Sequence, residues 1–203
     1  MRHLNVPRHL PPANSRQRIG LFGGSFNPPH PGHLHVAKTA LKRLDLDQVW
    51  WVPARGNPLK SETAPFEHRL SAIQALLADN PAMRVSDIER HANLTYTVDL
   101  VRLWKMRCPD AHLVWIMGAD SLATFHRWKQ WRALAGMIAI AVVSRPGSSM
   151  APLNSPFARI YATSRLPSSR ARALATSPAP VWTYLTAPLD PNSSTAIRAA
   201  RKH

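Results

Sequence analysis

Apolar and polar residues alternate along this chain in two patterns. Short, continuously apolar runs predict buried strands, whereas apolar residues three or four positions apart predict helices with one buried face. Proline, glycine and asparagine separate these segments. Predicted strands begin at Ile19 and continue at 48–52, 83–86, 113–117, 137–143 and 181–186, and predicted helices cover 34–44, 65–78 and 95–107.

Strands that alternate with helices predict right-handed β-α-β units. They indicate an α/β fold, a Rossmann-like doubly wound parallel sheet with helices on both faces, in a single domain over residues 19–203. Residues 1–18 are polar, basic and proline-rich, and we expect them to be a disordered extension. Residues 148–180 are rich in Ser, Pro, Ala and Arg, with a strand-like run only at 157–161, and we expect an irregular or mobile segment there.

The first predicted strand leads into a segment that combines glycines, prolines and two histidines. Gly23 and Gly24 allow the backbone to turn sharply or a ligand to approach closely. Pro31 suits the first turn of a helix, and His30 and His33, three positions apart, share one face of that helix start. Because a helix N-terminus offers N–H groups and the positive end of the dipole, the pattern predicts a phosphate-binding centre.

Other candidate groups follow later predicted strands, at the sheet edge where α/β proteins bind ligands. Arg55 and Lys60 follow strand 48–52 and can bind a second phosphate, with solvated loop charges as the alternative. Asp120 follows strand 113–117, where it can accept hydrogen bonds from a ribose or serve as a plain N-cap. The aromatic and basic residues of 125–131 can stack on a planar ring or pack in the core.

The formal net charge of +15 is compatible with nucleic acid, an anionic membrane or small phosphorylated ligands. The arginines are scattered and no known nucleic-acid-binding pattern occurs, so we expect no specific nucleic-acid partner. No apolar run reaches 18 residues, so we expect no membrane partner. The single cysteine, Cys108, fits a reducing cytoplasm, and no Cys/His cluster has the spacing of a zinc site.

Residues 20–33 match neither the P-loop nor the GxGxxG dinucleotide pattern. They resemble the GG[ST]F-[DN]-P-x-H-x-G-H signature of the nucleotidyltransferase superfamily with the HxGH motif, although Asn27 stands where the family often has Asp. Residues 193–198 resemble the ISSTxIR signature of the same superfamily. Segments 57–60, 95–97, 118–122 and 144–147, together with Trp128, fit one subfamily. Over residues 19–200 the chain is similar to bacterial nicotinate-nucleotide adenylyltransferases.

The resemblance implies adenylyl transfer from ATP to nicotinate mononucleotide, which gives deamido-NAD and pyrophosphate in NAD biosynthesis. It implies these two small molecules as partners and Mg²⁺ carried by the ATP phosphates, with no metal ligand from protein side chains. Two alternatives stay open: a sibling transferase, such as a pantetheine-phosphate adenylyltransferase or a cytidylyltransferase, and an inactive basic nucleic-acid-binding protein. The oligomeric state also stays open, a homo-oligomer included.

The resemblance assigns roles to three groups of residues. In the mononucleotide group, N–H donors near Thr97 favour the acid substrate over its amide, because a carboxylate accepts hydrogen bonds but cannot donate them. The first group contains the implied catalytic residues His30, His33 and Arg198. ATP is expected at these three and at Gly23, Gly24, Ser25, Phe26, Gly118, Asp120, Ser193, Ser194 and Thr195. Nicotinate mononucleotide is expected at Lys60, Tyr96, Thr97, Trp128 and Arg145.

Overall fold

The computed structural model describes residues 13–55, 64–78, 80–144 and 150–186. The described part contains a seven-stranded sheet in the order β3-β2-β1-β4-β5-β7-β6, and every adjacent pair of strands is parallel. The predicted parallel α/β fold is therefore confirmed. The strands are β1 (Arg18–Gly24), β2 (Gln48–Pro53), β3 (Met83–Val85), β4 (His112–Gly118), β5 (Ala139–Ser144), β6 (Arg165–Leu166) and β7 (Trp182–Thr186).

The helices in the described residues connect these strands. Short 3-10 helices at 125–127, 151–154, 162–164 and 168–176 supplement them. The α-helices are α1 (Pro31–Arg43), α2 (Phe66–Leu77), α3 (Ile88–His91), α4 (Thr97–Arg107), α5 (Ala119–Thr124), α6 (Trp131–Met137) and α7 (Pro156–Ile160).

Side chains along each strand alternate between two apolar clusters, one on each face of the sheet. On β2, Trp50 belongs to the first cluster and Trp51 to the second. Helices α4 and α6 cover the first cluster, where the Trp104 ring of α4 lies 4.7 Å from that of Trp50. Helices α1 and α2 and the 3-10 segment 168–176 cover the second cluster. Both faces of the sheet are therefore buried by helices.

The strand predicted at 157–161 is wrong, because Pro156–Ile160 forms helix α7. Ser155 caps this helix by accepting the N–H of Ala158, and Pro156 occupies its first turn. These two local signals favour a helix, and the apolar run of 157–161 resembles a strand only when they are ignored. Residues 150–180 also contain the 3-10 helices and β6, which short apolar anchors such as Leu174 attach to the core.

The disordered extension predicted for residues 1–18 needs a correction at its last residues. The N–H of Arg16 donates to the carbonyl of Asp110 at 2.8 Å, and β1 begins at Arg18. The N–H of His112 likewise donates to the carbonyl of Gln17 at 2.8 Å. Pairing with the start of β4 thus fixes residues whose composition alone predicted disorder, while residues 1–12 lie outside the described part.

Candidate active site

Strand order reverses between β1 and β4, which lie side by side in the centre of the sheet. Loops after two such strands run to opposite faces of the sheet and leave a crevice at its carboxyl edge, where ligands bind in open α/β sheets. Strand β1 leads to His30 and His33, and β4 leads to Gly118 and Asp120. The topology therefore brings together, at one crevice, the two described groups of residues predicted to bind ATP.

The two histidines lie side by side at the beginning of α1. Their ring centroids are 3.8 Å apart. His30 is the N-cap residue, with extended backbone and no side-chain capping bond, and Pro31 follows in the first turn. That first turn contains no acidic residue, so no carboxylate there opposes an anion. The arrangement suits two imidazoles that bind one phosphate group.

Phe26 supports His33 from the protein interior. Its side chain is only 1% exposed. Its ring lies 5.1 Å from the His33 ring in an edge-to-face arrangement and 5.0 Å from the ring of Trp51. The backbone of Phe26 has a φ of 45°, in the left-handed region that non-glycine residues seldom adopt. Because the ring is buried, Phe26 can contact a nucleotide only through its backbone.

Gly23 allows close packing of an aromatic ring against the end of β1. A Cβ atom at this position would lie 2.1 Å from Cη2 of Trp115. At Gly24, a Cβ atom would lie 3.1 Å from the ring of Phe26. The sequence pattern suggested that these glycines admit a ligand, and the structure adds that they admit two buried aromatic side chains.

Arg69 lies in the interior behind this crevice, and the sequence analysis missed it. Its side chain is only 2% exposed and donates three hydrogen bonds. They run to the carbonyl oxygens of Ser25 at 2.7 Å, Ala64 at 3.0 Å and Arg55 at 3.3 Å. The available signal was the position of Arg69 in the apolar stripe of α2, four residues before Ile73. A cation in such a stripe requires polar partners in the interior.

Glu89 of α3 is the second buried charge that the sequence analysis missed. It accepts the backbone N–H of Arg55 at 2.8 Å. Burial raises the pKa of Glu89 to about 7, against the opposing effects of the Arg55 hydrogen bond and the Arg69 charge. Burial also lowers the pKa of Arg69, against the effect of Glu89. The guanidinium stays charged at neutral pH.

Tyr96 is the N-cap residue of α4 and makes no side-chain capping bond. Its ring is partly exposed, and Nζ of Lys129 lies 4.1 Å from its centroid. Nearby, Arg102 of α4 donates to Oε1 of Gln130 at 2.8 Å. These contacts join the beginning of α4, which carries Tyr96 and Thr97, to the segment that follows Trp128. Lys129 is a further cation near the predicted mononucleotide-binding residues, and the sequence motifs did not identify it.

Trp128 is half-buried and packs edge-on against two aromatic rings. Its centroid lies 5.2 Å from that of Phe125 and 6.3 Å from that of Trp115. Trp115 is also the residue whose ring lies against Gly23. The buried indole of Trp115 thus connects Trp128, the predicted nicotinate-stacking residue, with Gly23 at the end of β1.

Comparison with known proteins shows the family to which this chain belongs. Residues 21–200 match the family model described as Cytidylyltransferase-like. A probable nicotinate-nucleotide adenylyltransferase from Caulobacter sp. (strain K31) is 50% identical over 183 residues, which cover 89% of this chain and 96% of the relative. Another from Rhizobium meliloti (strain 1021) is 46% identical over 185 residues, which cover 90% and 98%. The chain belongs to the nicotinate-nucleotide adenylyltransferase family. The resemblance seen in the sequence is confirmed.

A solved structure agrees with this fold. The Plasmodium falciparum nicotinic acid mononucleotide adenylyltransferase complexed with NaAD superimposes with a TM-score of 0.67 at 19% identity. The match covers 91% of this chain and 83% of that chain. At this level of identity the likeness concerns the fold.

Some of the residues that the family resemblance singles out lie outside the described part of the structure. Arg145 follows β5 in the sequence, and residues 193–198 follow β7. These two strands end side by side at the carboxyl edge of the sheet, where Ser144 pairs with Thr186. The residues outside the described ranges are Lys60, Arg145, Ser193, Ser194, Thr195 and Arg198.

Among the described residues, no group of three or more His, Cys, Asp or Glu residues could hold a metal ion. The described donors at the crevice are imidazoles and N–H groups, which fit phosphate oxygens better than a hard cation. Within the same ranges, every helix is too short or too polar to cross a membrane.

Proposed function

We propose that the chain transfers the adenylyl group of ATP to nicotinate mononucleotide and releases deamido-NAD and pyrophosphate, a step of NAD biosynthesis. The observation that carries the proposal is the His30–His33 pair at the start of α1, with ring centroids 3.8 Å apart, in a chain of this family. The proposed partners are these two small molecules, and the proposed location is the cytoplasm, which suits a chain with one cysteine.

The reaction needs positioning and charge neutralisation rather than a protein nucleophile. A phosphate oxygen of the mononucleotide attacks the α-phosphorus of ATP in line. The new P–O bond forms while the bond from that phosphorus to the oxygen bridging to the β-phosphate breaks, and pyrophosphate leaves with that oxygen. Negative charge shifts toward the leaving group and the α-phosphoryl oxygens, where donors from His30 and His33 stabilise it. Mg²⁺ bound to the ATP phosphates would supply further positive charge.

The residues proposed to bind ATP come from the beginning, the middle and the end of the chain. Backbone groups of residues 23–26 lie along the nucleotide, and Gly118 and Asp120 contact the adenosine part. Arg198, with the hydroxyl and N–H groups of residues 193–195, holds the leaving pyrophosphate. The roles of residues 193–195 and Arg198 are supported by their match to the family signature.

Nicotinate mononucleotide binds on the other side of the crevice. Tyr96 and Thr97, with the N–H groups at the start of α4, receive the pyridine carboxylate, and Trp128 stacks on the ring. Lys60 assists in binding the mononucleotide phosphate, and Arg145 also contributes to the mononucleotide site. Lys129 supports a preference for the acid, because its ammonium group lies beside the Tyr96 ring and attracts a carboxylate but not a neutral carboxamide.

Pyrophosphate release tests the proposal directly. The full chain is given ATP and Mg²⁺ with nicotinate mononucleotide, nicotinamide mononucleotide or phosphopantetheine in parallel reactions. We expect the first acceptor to be fastest. Faster turnover of phosphopantetheine would instead indicate a sibling transferase. The absence of turnover, together with RNA binding that weakens steeply with salt, would indicate a basic nucleic-acid-binding protein.

A further inference from the structure

We infer that Arg69 is a positioning residue for the proposed adenylyl transfer: through the Ser25 carbonyl it sets the turn that supports His33. The inference rests on the proposed function for its catalytic consequence. The three hydrogen bonds of Arg69 all run to carbonyl oxygens, and its effect reaches the His33 imidazole through the backbone of residues 25–26 and the Phe26 ring.

The three bonds of Arg69 connect three separate segments. Nη1 binds the turn after β1 at Ser25, Nη2 binds the loop after β2 at Arg55, and Nε binds Ala64 just before α2. The planar guanidinium carries five donors in fixed directions, so one side chain can bridge three carbonyl groups. A lysine ammonium is a point charge and cannot reproduce that geometry.

Placing this charge in the interior is costly. An uncompensated buried cation destabilises the fold, and even a buried ion pair often contributes less than apolar packing of the same volume. Arg69 shares the buried face of α2 with Ile73 and Leu77, where an apolar residue would pack well. Glu89, whose charge acts on Arg69, offsets part of the cost. Such an arrangement is better suited to fixing the geometry of the loops than to adding stability.

The turn that Arg69 holds is connected to the same segments by two further bonds. The N–H of Ala54 donates to the Gly24 carbonyl at 2.9 Å, and the N–H of Ala64 donates to Oδ1 of Asn27 at 3.1 Å. Between Gly24 and Asn27, the carbonyl of Ser25 accepts from Arg69 and is followed by Phe26 in its left-handed conformation. The Arg69 bond therefore fixes the peptide that places the Phe26 ring.

The last contact in this series joins the Phe26 ring to the imidazole of His33. The Phe26 ring meets the His33 ring edge-to-face at a centroid distance of 5.1 Å. A change in the Ser25–Phe26 peptide therefore displaces the surface against which His33 rests. Displacements of about 1 Å in a catalytic group can lower a rate by about 100-fold.

The variant Arg69→Lys tests this connection, since it keeps the charge near Glu89 and loses the three-way bridge. We expect kcat for pyrophosphate release to fall about 10- to 100-fold, while KM for each substrate changes less than about 3-fold, since ground-state contacts are retained. Arg18→Lys is the matched control. Arg18 binds Asp45 at the amino end of β1, far from the crevice, and its replacement should leave kcat unchanged.

A spectroscopic measurement separates positioning from a merely structural role. The ring current of Phe26 affects the Hε1 resonance of His33, so in folded Arg69→Lys protein this resonance should move while that of His112, at the start of β4, stays in place. A lower melting temperature with unchanged kcat and an unchanged His33 resonance would overturn the inference.

A second variant keeps the inference testable if Arg69→Lys does not fold. Phe26→Leu retains Arg69 and its three carbonyl partners but removes the ring that touches His33. We expect the same selective loss of kcat, and an unchanged kcat would break the proposed connection. If the wild-type chain itself releases no pyrophosphate, the proposed function fails, whereas normal wild-type turnover with a fully active Arg69→Lys variant refutes only the role of Arg69.

Discussion

At the scale of single residues, His33 of the crevice is in contact with aromatic and imidazole rings. The His30 ring lies beside it and the Phe26 ring supports it from below. Its proposed role is to donate a hydrogen bond that strengthens as charge develops at the α-phosphoryl group. Such a donor acts on the rate of the chemical step, whereas the residues around the nicotinate ring act on binding.

Replacing His33 with alanine should lower kcat by about 10²-fold or more, the effect of removing one transition-state donor. Pyrophosphate release under saturating substrates is the measurement. His35→Ala is the control on the same helix, because residues two positions apart face different directions. An unchanged rate in the His33 variant would exclude this imidazole from the mechanism.

Lys129 offers a test of selectivity. Replacing it with methionine should raise KM for nicotinate mononucleotide about 2- to 5-fold, as expected for an exposed charge, and should leave KM for ATP unchanged. The preference for the acid over the amide should shrink by the same factor. Lys105→Met, which alters a lysine that binds the Met137 carbonyl, serves as the comparison. Equal changes in the two variants would contradict a specific role for Lys129.

At the scale of elements, the end of β1 lacks a side chain at the place where an aromatic ring of the neighbouring strand packs against it. Trp115 of β4 is 2% exposed and fills the space that a side chain at Gly23 would occupy. The same indole packs against Trp128. The end of β1, the middle of β4 and the segment after α5 therefore form one packing unit beneath the crevice.

Gly23→Ala should destabilise the fold by about 1–3 kcal/mol, because the added methyl group overlaps the rigid indole of Trp115. The free energy of unfolding, measured by urea denaturation, tests this expectation. Gly136→Ala is the matched control: its Cβ meets nothing within 4 Å, and alanine in helix α6 should add up to about 1 kcal/mol. Equal stability of the two variants would show that Trp115 can move aside.

At the scale of the whole molecule, the buried Glu89 links folding to pH. Its pKa lies at about 7 in the folded chain against an ordinary value of 4.5, chiefly because burial disfavours the carboxylate. Between these values the folded state retains a proton that the unfolded state has lost. The contribution of Glu89 is therefore fully present below pH 4.5 and is lost as pH rises through about 7.

Glu89→Gln should remove this component of the pH dependence. The two pKa values correspond to a difference on the order of 3 kcal/mol, so the stability curves of wild type and variant should diverge by up to that amount between pH 4.5 and 7. Urea denaturation at a series of pH values measures both stability curves. Because the two proteins contain the same histidines, the histidine titration cancels when one curve is subtracted from the other. Glu67→Gln alters an exposed partner of Arg90 and should run parallel to wild type. Parallel curves for Glu89→Gln would show that Glu89 is ionised in the folded chain across this range.

Much of the fold could be predicted because strands and helices leave local periodic signals. The boundaries of β2 and α2, for example, agree with the sequence patterns to within a residue. The run 157–161 was assigned wrongly because the cap at Ser155 and the proline after it outweigh five residues of strand-like composition. The buried charge Arg69 left one local signal, its position in the apolar stripe of α2, although its partners Ser25 and Arg55 lie elsewhere in the chain. Glu89 could not be recognised, because it binds the main chain of Arg55, which is distant in sequence.

The sequence alone determined the alternation of elements, the family signature and the sharing of one helix face by His30 and His33. These properties depend on periodicity, on residue type and on spacing within a single turn, all of which are local. The tertiary structure decided that Trp115 fills the space beside Gly23, that Phe26 supports His33, and that Arg69 joins three loops. Those contacts form only when parallel strands bring their carboxyl ends to one edge of the sheet, where residues far apart in the chain become neighbours.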